Sequence, residues 1–200
     1  MEVQTMILEL AMKNRSFRGY DESYRFTKEE LMELVNVTRF AASSVNRQPF
    51  AYYIAWEKDE VDKIQKLTKW ARGLPDMTLP HPGMCPTGWV IVCHNTDWAP
   101  NVERFRQDRG IVAQTLLLAA AEKGLGGCMI GNYVADDVKA ALELPENMVP
   151  VLLIALGKPA EKIVLTEVGE DGNVNYYRDE NDVHYVPKRK LEDIVLTRKQ

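Results

Sequence analysis

The chain has 200 residues, of which 46% are hydrophobic and 27% are charged, values typical of one globular domain. Its formal net charge of −4 argues against general binding to nucleic acids, phosphopeptides or anionic membranes, because those partners require a basic surface. No apolar run approaches the roughly 20 residues that span a bilayer, and the scattered cysteines and histidines predict neither disulfides nor a metal site. We therefore predict a single cytoplasmic domain over residues 1–200.

The first half of the chain is predicted to form helices around one strand. Apolar residues at helical spacing, a capping box at Thr27–Glu30 and a run of aromatic and branched residues mark these elements. Six prolines and glycines in 72–87 indicate a long loop, and we assign 66–87 as the segment that covers the substrate. The predicted elements are helices at 4–13, 28–41 and 60–71 and a strand at 50–56.

The second half alternates apolar strands with amphipathic helices, a pattern typical of layered sheet-and-helix domains. From residue 160 the chain becomes polar and irregular, and 175–200 is too polar to form a core by itself. We expect that segment to wrap around a partner subunit. The predicted elements are strands at 88–95, 125–133 and 149–159 and helices at 102–124 and 134–144.

Four polar or glycine-rich motifs fall outside these elements or at their ends. Two arginines and a serine in 15–18 suit a phosphate or another electron-rich oxygen. Hydroxyls and amides in 43–48 suit a ligand with many donors and acceptors, and the glycines of 125–132 let the backbone approach a flat group. A basic cluster occupies 187–190. Taken one at a time, each also fits an ordinary loop, turn or solvated surface run.

In this order, the four motifs resemble those of the FMN-dependent nitroreductase family. The similarity runs from about residue 5 to the end of the chain. It implies an α+β fold in three layers, with a mixed central β-sheet flanked by helices. It also implies a homodimer in which the C-terminal extension is exchanged between subunits and two FMN molecules lie at the interface. The matching segments are RSFR at 15–18, ASSVNRQPF at 42–50, GLGGCMIG at 124–131 and VPKRKLED at 186–193.

The resemblance assigns roles on the flavin to individual residues. Arg15 and Ser16 would hold the phosphate and ribityl region of FMN. Arg18 would face the N1/O2 edge of the flavin, where its positive charge would stabilise the negative charge left by hydride transfer to N5. The backbone around Ile130 and Gly131 would donate a hydrogen bond to N5.

Two further groups of residues complete the implied site. Lys188 and Arg189 would close the phosphate site, although Lys190 leaves open which two of the three face the phosphate. The other group would reach the FMN bound by the partner subunit, so that each site would need both chains. Its members are Ser43, Ser44 and Asn46.

The activity implied by the resemblance is transfer of hydride from NADH or NADPH, through flavin N5, to nitroaromatics, quinones or similar small electrophilic acceptors by a ping-pong mechanism. The flavin would do the chemistry, and no side chain would act as a nucleophile or an acid. Reductive dehalogenation, alkene or imine reduction, and non-catalytic flavin binding or sensing stay open as alternatives. Met129 stands where family members often carry tryptophan, and 66–87 differs among them. The acceptor, the preferred nicotinamide and the number of electrons delivered per turnover are therefore not predicted.

Overall fold

The computed structural model describes residues 6–198, which form helices and two β-sheets. Their contacts separate into two compact units, one of residues 6–70 and 78–160 and the other of 71–77 and 161–198. The expectation of a single domain over 1–200 stays a prediction. The helices are α1 (Met6–Lys13), α2 (Lys28–Thr38), α3 (Lys58–Lys66), α4 (Arg106–Glu122), α5 (Ala135–Ala141) and α6 (Leu191–Ile194). The strands are β1 (Phe50–Ala55), β2 (Gly88–Asn95), β3 (Gly126–Ile130), β4 (Met148–Gly157), β5 (Ile163–Glu167), β6 (Tyr177–Arg178) and β7 (His184–Lys188).

A four-stranded sheet in the order β1-β2-β4-β3 forms the centre of the first unit. Neighbouring strands are antiparallel, and an isolated parallel bridge joins Ser16 to Gly127 at the β3 edge. All eight residues of β2 are buried. Alternate β2 side chains pack on opposite faces of the sheet. Val90 belongs to a hydrophobic cluster with residues of α2 and α4, and Ile91 belongs to a second hydrophobic cluster with residues of α3 and α5. The predicted α+β fold, with a sheet between two helical layers, is confirmed.

Local signals in the sequence mark the helix ends. The capping box forms as predicted, because Thr27 Oγ1 accepts from Glu30 N and Thr27 N donates to a carboxylate oxygen of Glu30. Helix α2 ends at Thr38, a few residues before the predicted end at 41. At the end of α4, Gly124 adopts φ +72° and Leu125 N donates to Ala120 O, an arrangement that satisfies the last carbonyls of the helix.

The second unit corrects the expectation that the chain is irregular after residue 160. Strand β7 pairs in parallel with β5 and antiparallel with β6, which gives a three-stranded sheet. Buried Arg178 pairs with Glu161 and, at 2.9 Å, with Asp182. These strands are short and only partly buried, so they lack the apolar alternation that predicts strands. Exchange of 175–200 between subunits stays a prediction, and 199–200 lie outside the described residues.

Candidate cofactor site

The structure brings two of the predicted motifs together at the β3 edge. Helix α1 ends at Lys13, and the chain then runs beside β3, with the Ser16–Gly127 bridge and a 3.1 Å hydrogen bond from Phe17 N to Gly127 O. Phe17 is buried, whereas Ser16 is exposed. The backbone pairing therefore fixes the segment from Arg15 to Arg18 next to the glycine-rich strand.

Both arginines of this segment are half-buried and fold back on the backbone. Arg15 Nη2 donates to Ala11 O at 2.6 Å, and Arg18 Nη1 donates to Ser16 O at 3.2 Å. Burial lowers the pKa of Arg15, because desolvation disfavours the charged form. Arg15 Nε is buried and donates no hydrogen bond within residues 6–198. An anion at this position would supply the missing acceptor.

The glycines of the β3 motif have different structural roles. A Cβ on Gly126 would lie 2.4 Å from the Phe17 ring, and one on Gly127 would lie 2.4 Å from Ala155 O. These two glycines are therefore required by packing within the unit. A Cβ on Gly131 would meet no atom of residues 6–198 within 4 Å. Open space therefore lies beside Gly131, next to Ile130 at the end of β3.

The start of the predicted substrate-covering segment lies beside Gly131. Thr68 forms an isolated bridge with Tyr133, and Lys69 N donates to Asn132 O at 2.9 Å. Burial raises the pKa of Tyr133 to about 12, and its hydroxyl lies 3.2 Å from Pro150 O. Tyr133 is therefore a neutral structural donor at neutral pH. The role of 66–87 in covering a substrate stays a prediction.

The segment with Ser43, Ser44 and Asn46 lies at the other edge of the sheet. Residues 43–48, which we call the 43–48 loop, precede β1, and β1 is three strand intervals from β3, about 14 Å. Ser44 and Asn46 are exposed, and Val45 exposes 76% of its surface. Within one chain, the structure does not bring the 43–48 loop to the arginine segment.

Sequence reasoning missed the residue that anchors the 43–48 loop, Asp108 on α4. Its Oδ2 accepts from Ser43 Oγ at 2.7 Å and from Ser44 N at 2.8 Å, and the carboxylate is buried. Because more than 60 residues separate the partners, no local motif links them. The available signal was a lone carboxylate on the apolar face of α4, three residues after Phe105 and four before Val112.

The basic cluster near the C-terminus belongs to the second unit. Lys188 ends β7, its carbonyl accepts from Val168 N at 2.9 Å, and the side chains of Lys188, Arg189 and Lys190 are exposed. Their convergence with Arg15 on one phosphate stays a prediction.

Comparison with known proteins places the chain in a family. Residues 11–158 match the model of the nitroreductase family. A protein from Methanothermobacter thermautotrophicus, provisionally named an NADH dehydrogenase/NAD(P)H nitroreductase, is 26% identical over 160 residues, covering 78% of each chain.

Solved structures share the fold. A Parabacteroides distasonis protein, provisionally given the same name, is 26% identical, with a TM-score of 0.65 over 80% of this chain and 90% of that one. A provisionally named nitroreductase from Exiguobacterium sibiricum, solved in complex with FMN, is 20% identical, with a TM-score of 0.63 over 80% of this chain and 91% of that one. The family match covers most of the chain, and the protein belongs to the nitroreductase family of oxidoreductases.

Proposed function

We propose that the protein is an FMN-dependent oxidoreductase that takes hydride from NADH or NADPH and reduces small electrophilic acceptors such as nitroaromatics or quinones. The observation that carries this proposal is the pairing of Ser16 with Gly127, which sets the arginine segment beside the strand that leads to Gly131. Family membership and the names of the relatives support the reaction class.

The residues along the β3 edge fit FMN. Arg15 offers a positive charge and a buried N–H that lacks an acceptor, and Ser16 offers an exposed hydroxyl, a donor set suited to a phosphate. Along β3, Ile130 is three residues beyond Gly127, roughly 10 Å away. Gly131 then provides space for a flat ring system. An extended cofactor with an anionic end and a planar end matches this order.

When bound, FMN would supply two-electron hydride chemistry at N5. In this proposal Arg15 and Ser16 would hold the phosphate end, and the backbone at Ile130 and Gly131 would contact the ring. The partly desolvated guanidinium of Arg18 would stabilise negative charge that develops during hydride transfer, because a half-buried cation acts through a lower dielectric than water. These residues would bind and orient FMN and supply positive charge beside it.

The position of the 43–48 loop supports the proposal of a homodimer. Its exposed polar side chains lie at the sheet edge opposite the arginine segment, where they could contact the FMN of a second chain but not that of their own. Helix α1 also leaves large apolar side chains in solvent, with Met6 75% and Ile7 60% exposed. Contiguous exposed apolar surface is typical of an interface. Light scattering of the purified protein should give twice the 22.8 kDa chain mass.

An ultraviolet-visible spectrum of the purified protein, followed by anaerobic titration with NADH and, separately, with NADPH, tests the proposal. We expect bound flavin that NADH or NADPH bleaches and that an acceptor panel reoxidises at distinct rates. A protein that stays colourless after FMN is added would overturn the proposal. Bound FMN that neither nucleotide reduces would indicate a non-catalytic flavin-binding protein instead.

Two variants test the residue assignments. Arg18→Ala should slow anaerobic flavin reduction about a hundredfold, the usual effect of removing one preorganised charge-stabilising group. Asn46→Ala should weaken FMN retention, measured by flavin fluorescence after dilution. Arg104→Ala removes an exposed arginine far from β3 in sequence and serves as the control. Wild-type affinity and reduction rate in both Arg18→Ala and Asn46→Ala would show that the assignments are wrong.

A further inference from the structure

We propose that Asp108 is a positioning residue that holds the 43–48 loop in shape and thereby builds the FMN site of the partner subunit. This inference rests on the proposed function. Asp108 does not belong to any motif that carries the family resemblance. Its role follows from its position in the fold.

A relay of hydrogen bonds links Asp108 to both ends of the loop. Asp108 Oδ2 accepts from Ser43 Oγ and Ser44 N, and Ser43 Oγ accepts in turn from Gln48 N at 2.9 Å. Asp108 is only 4% exposed, so water competes poorly for these bonds. It lies in the first turn of α4, where the positive end of the helix dipole favours an anion. The buried carboxylate of Asp108 therefore holds the two ends of the loop together, directly at Ser43 and through Ser43 at Gln48.

The loop needs such an anchor because its backbone is strained. Val45, Asn46 and Gln48 have φ values of +49°, +51° and +49°, in the left-handed region that residues other than glycine rarely adopt. A branched side chain such as that of Val45 is especially unfavourable there. Strained backbone of this kind persists only where surrounding contacts hold it, and it is concentrated at functional sites.

The strained conformation determines which side chains the loop presents. Ser43 is turned inward to Asp108, whereas Ser44, Val45 and Asn46 are exposed. Ser43 therefore acts mainly within its own chain, and Asn46 is the better placed of the two to contact a ligand in another subunit. Since the loop lies at the sheet edge away from β3, loss of Asp108 should damage the FMN site of the neighbouring chain and leave the site of its own chain intact.

Three single variants and a matched control define the contribution of Asp108. Asp108→Ala removes the acceptor and should weaken FMN binding about tenfold or more, the effect expected for losing hydrogen bonds to a charged group. Asp108→Asn keeps the shape and one acceptor oxygen, and should restore most of the affinity. Ser43→Ala breaks the relay on the loop side and should weaken FMN binding in the same way. It takes the place of Asp108→Ala if that variant folds poorly. Glu103→Gln removes an exposed carboxylate just before α4 and should bind FMN like the wild type.

A mixed dimer distinguishes positioning across the interface from general destabilisation. One differently tagged chain carries Asp108→Ala and the other carries Arg15→Ala. If Asp108 acts on the partner's site, both defects fall on one site, and the dimer retains one FMN site of wild-type affinity. If Asp108 acts within its own chain, both sites are damaged.

Fluorescence titration of FMN into tag-selected mixed dimers gives the result. One wild-type site per dimer, together with rescue by Asp108→Asn, supports the proposal. Two weakened sites, or wild-type affinity in the Asp108→Ala homodimer, would overturn it. Failure of the wild-type protein to bind FMN, or its elution as a monomer, would instead refute the proposed function on which the inference rests.

Discussion

Two glycines of the β3 motif should respond in opposite ways to the same substitution. In Gly127→Ala, the new methyl carbon would lie 2.4 Å from Ala155 O and 2.7 Å from a methyl of Leu117. Normal contact is about 3.5 Å, so the overlap with the carbonyl is roughly 1 Å. That oxygen belongs to β4 within the antiparallel ladder, and it cannot move without breaking strand pairing.

The expected cost of Gly127→Ala is about 3 kcal/mol, at the upper end of the range for overpacked sites. For a chain of this size, this corresponds to a fall in Tm of roughly 6–12 °C. In Gly131→Ala the new methyl group meets no atom of the described residues within 4 Å, and the position is not at positive φ. The substitution should therefore leave the Tm unchanged or raise it slightly by restricting the unfolded chain. Its methyl group should nevertheless weaken FMN binding.

Calorimetry of the flavin-free proteins and fluorescence titration with FMN separate the two effects. Unfolding of Gly127→Ala within about 2 °C of the wild type, a shift worth less than 1 kcal/mol, would refute the overlap with the β4 carbonyl. A loss of stability in Gly131→Ala as large as that in Gly127→Ala would contradict the open space beside Gly131.

Three further predictions concern stability. Arg178→Met should destabilise the second unit by about 3–5 kcal/mol, because it removes the cation that pairs with the buried carboxylate of Glu161. Hydrogen exchange after residue 160 should detect this loss. Combining Arg178→Met with Glu161→Leu should recover most of it. Because the pKa of Tyr133 is raised to about 12, the folded state holds its proton more tightly than the unfolded chain, so stability present below pH 10 falls as the pH rises toward 12. In urea titrations Tyr133→Phe should show a smaller loss over that interval, and an equal loss would contradict the assignment. Thr27→Ala should lower the unfolding free energy by about 1 kcal/mol, while an unchanged midpoint would show that the helix cap contributes little.

Apolar periodicity and capping motifs predicted the elements of the first unit well, because these elements carry local sequence signals. The apolar run at 88–95 is strand β2 with the same bounds, and the capping box starts α2 at Lys28. The segment after residue 160 lacked those signals. There a buried ion pair between Arg178 and Glu161 and short strand pairings stabilise the structure, and such contacts between distant residues leave no periodic pattern.

By itself, the sequence determined the order of the motifs, the layering of strands and helices and the net negative charge, because these depend on residue type and local spacing. Only the tertiary structure decided how the motifs are used. It placed the segment with Arg15 beside Gly127, assigned Gly126 and Gly127 to packing and Gly131 to open space, and revealed Asp108 beneath the 43–48 loop. Close approach and buried hydrogen bonds join residues far apart in the chain, and only the folded backbone specifies which of them meet.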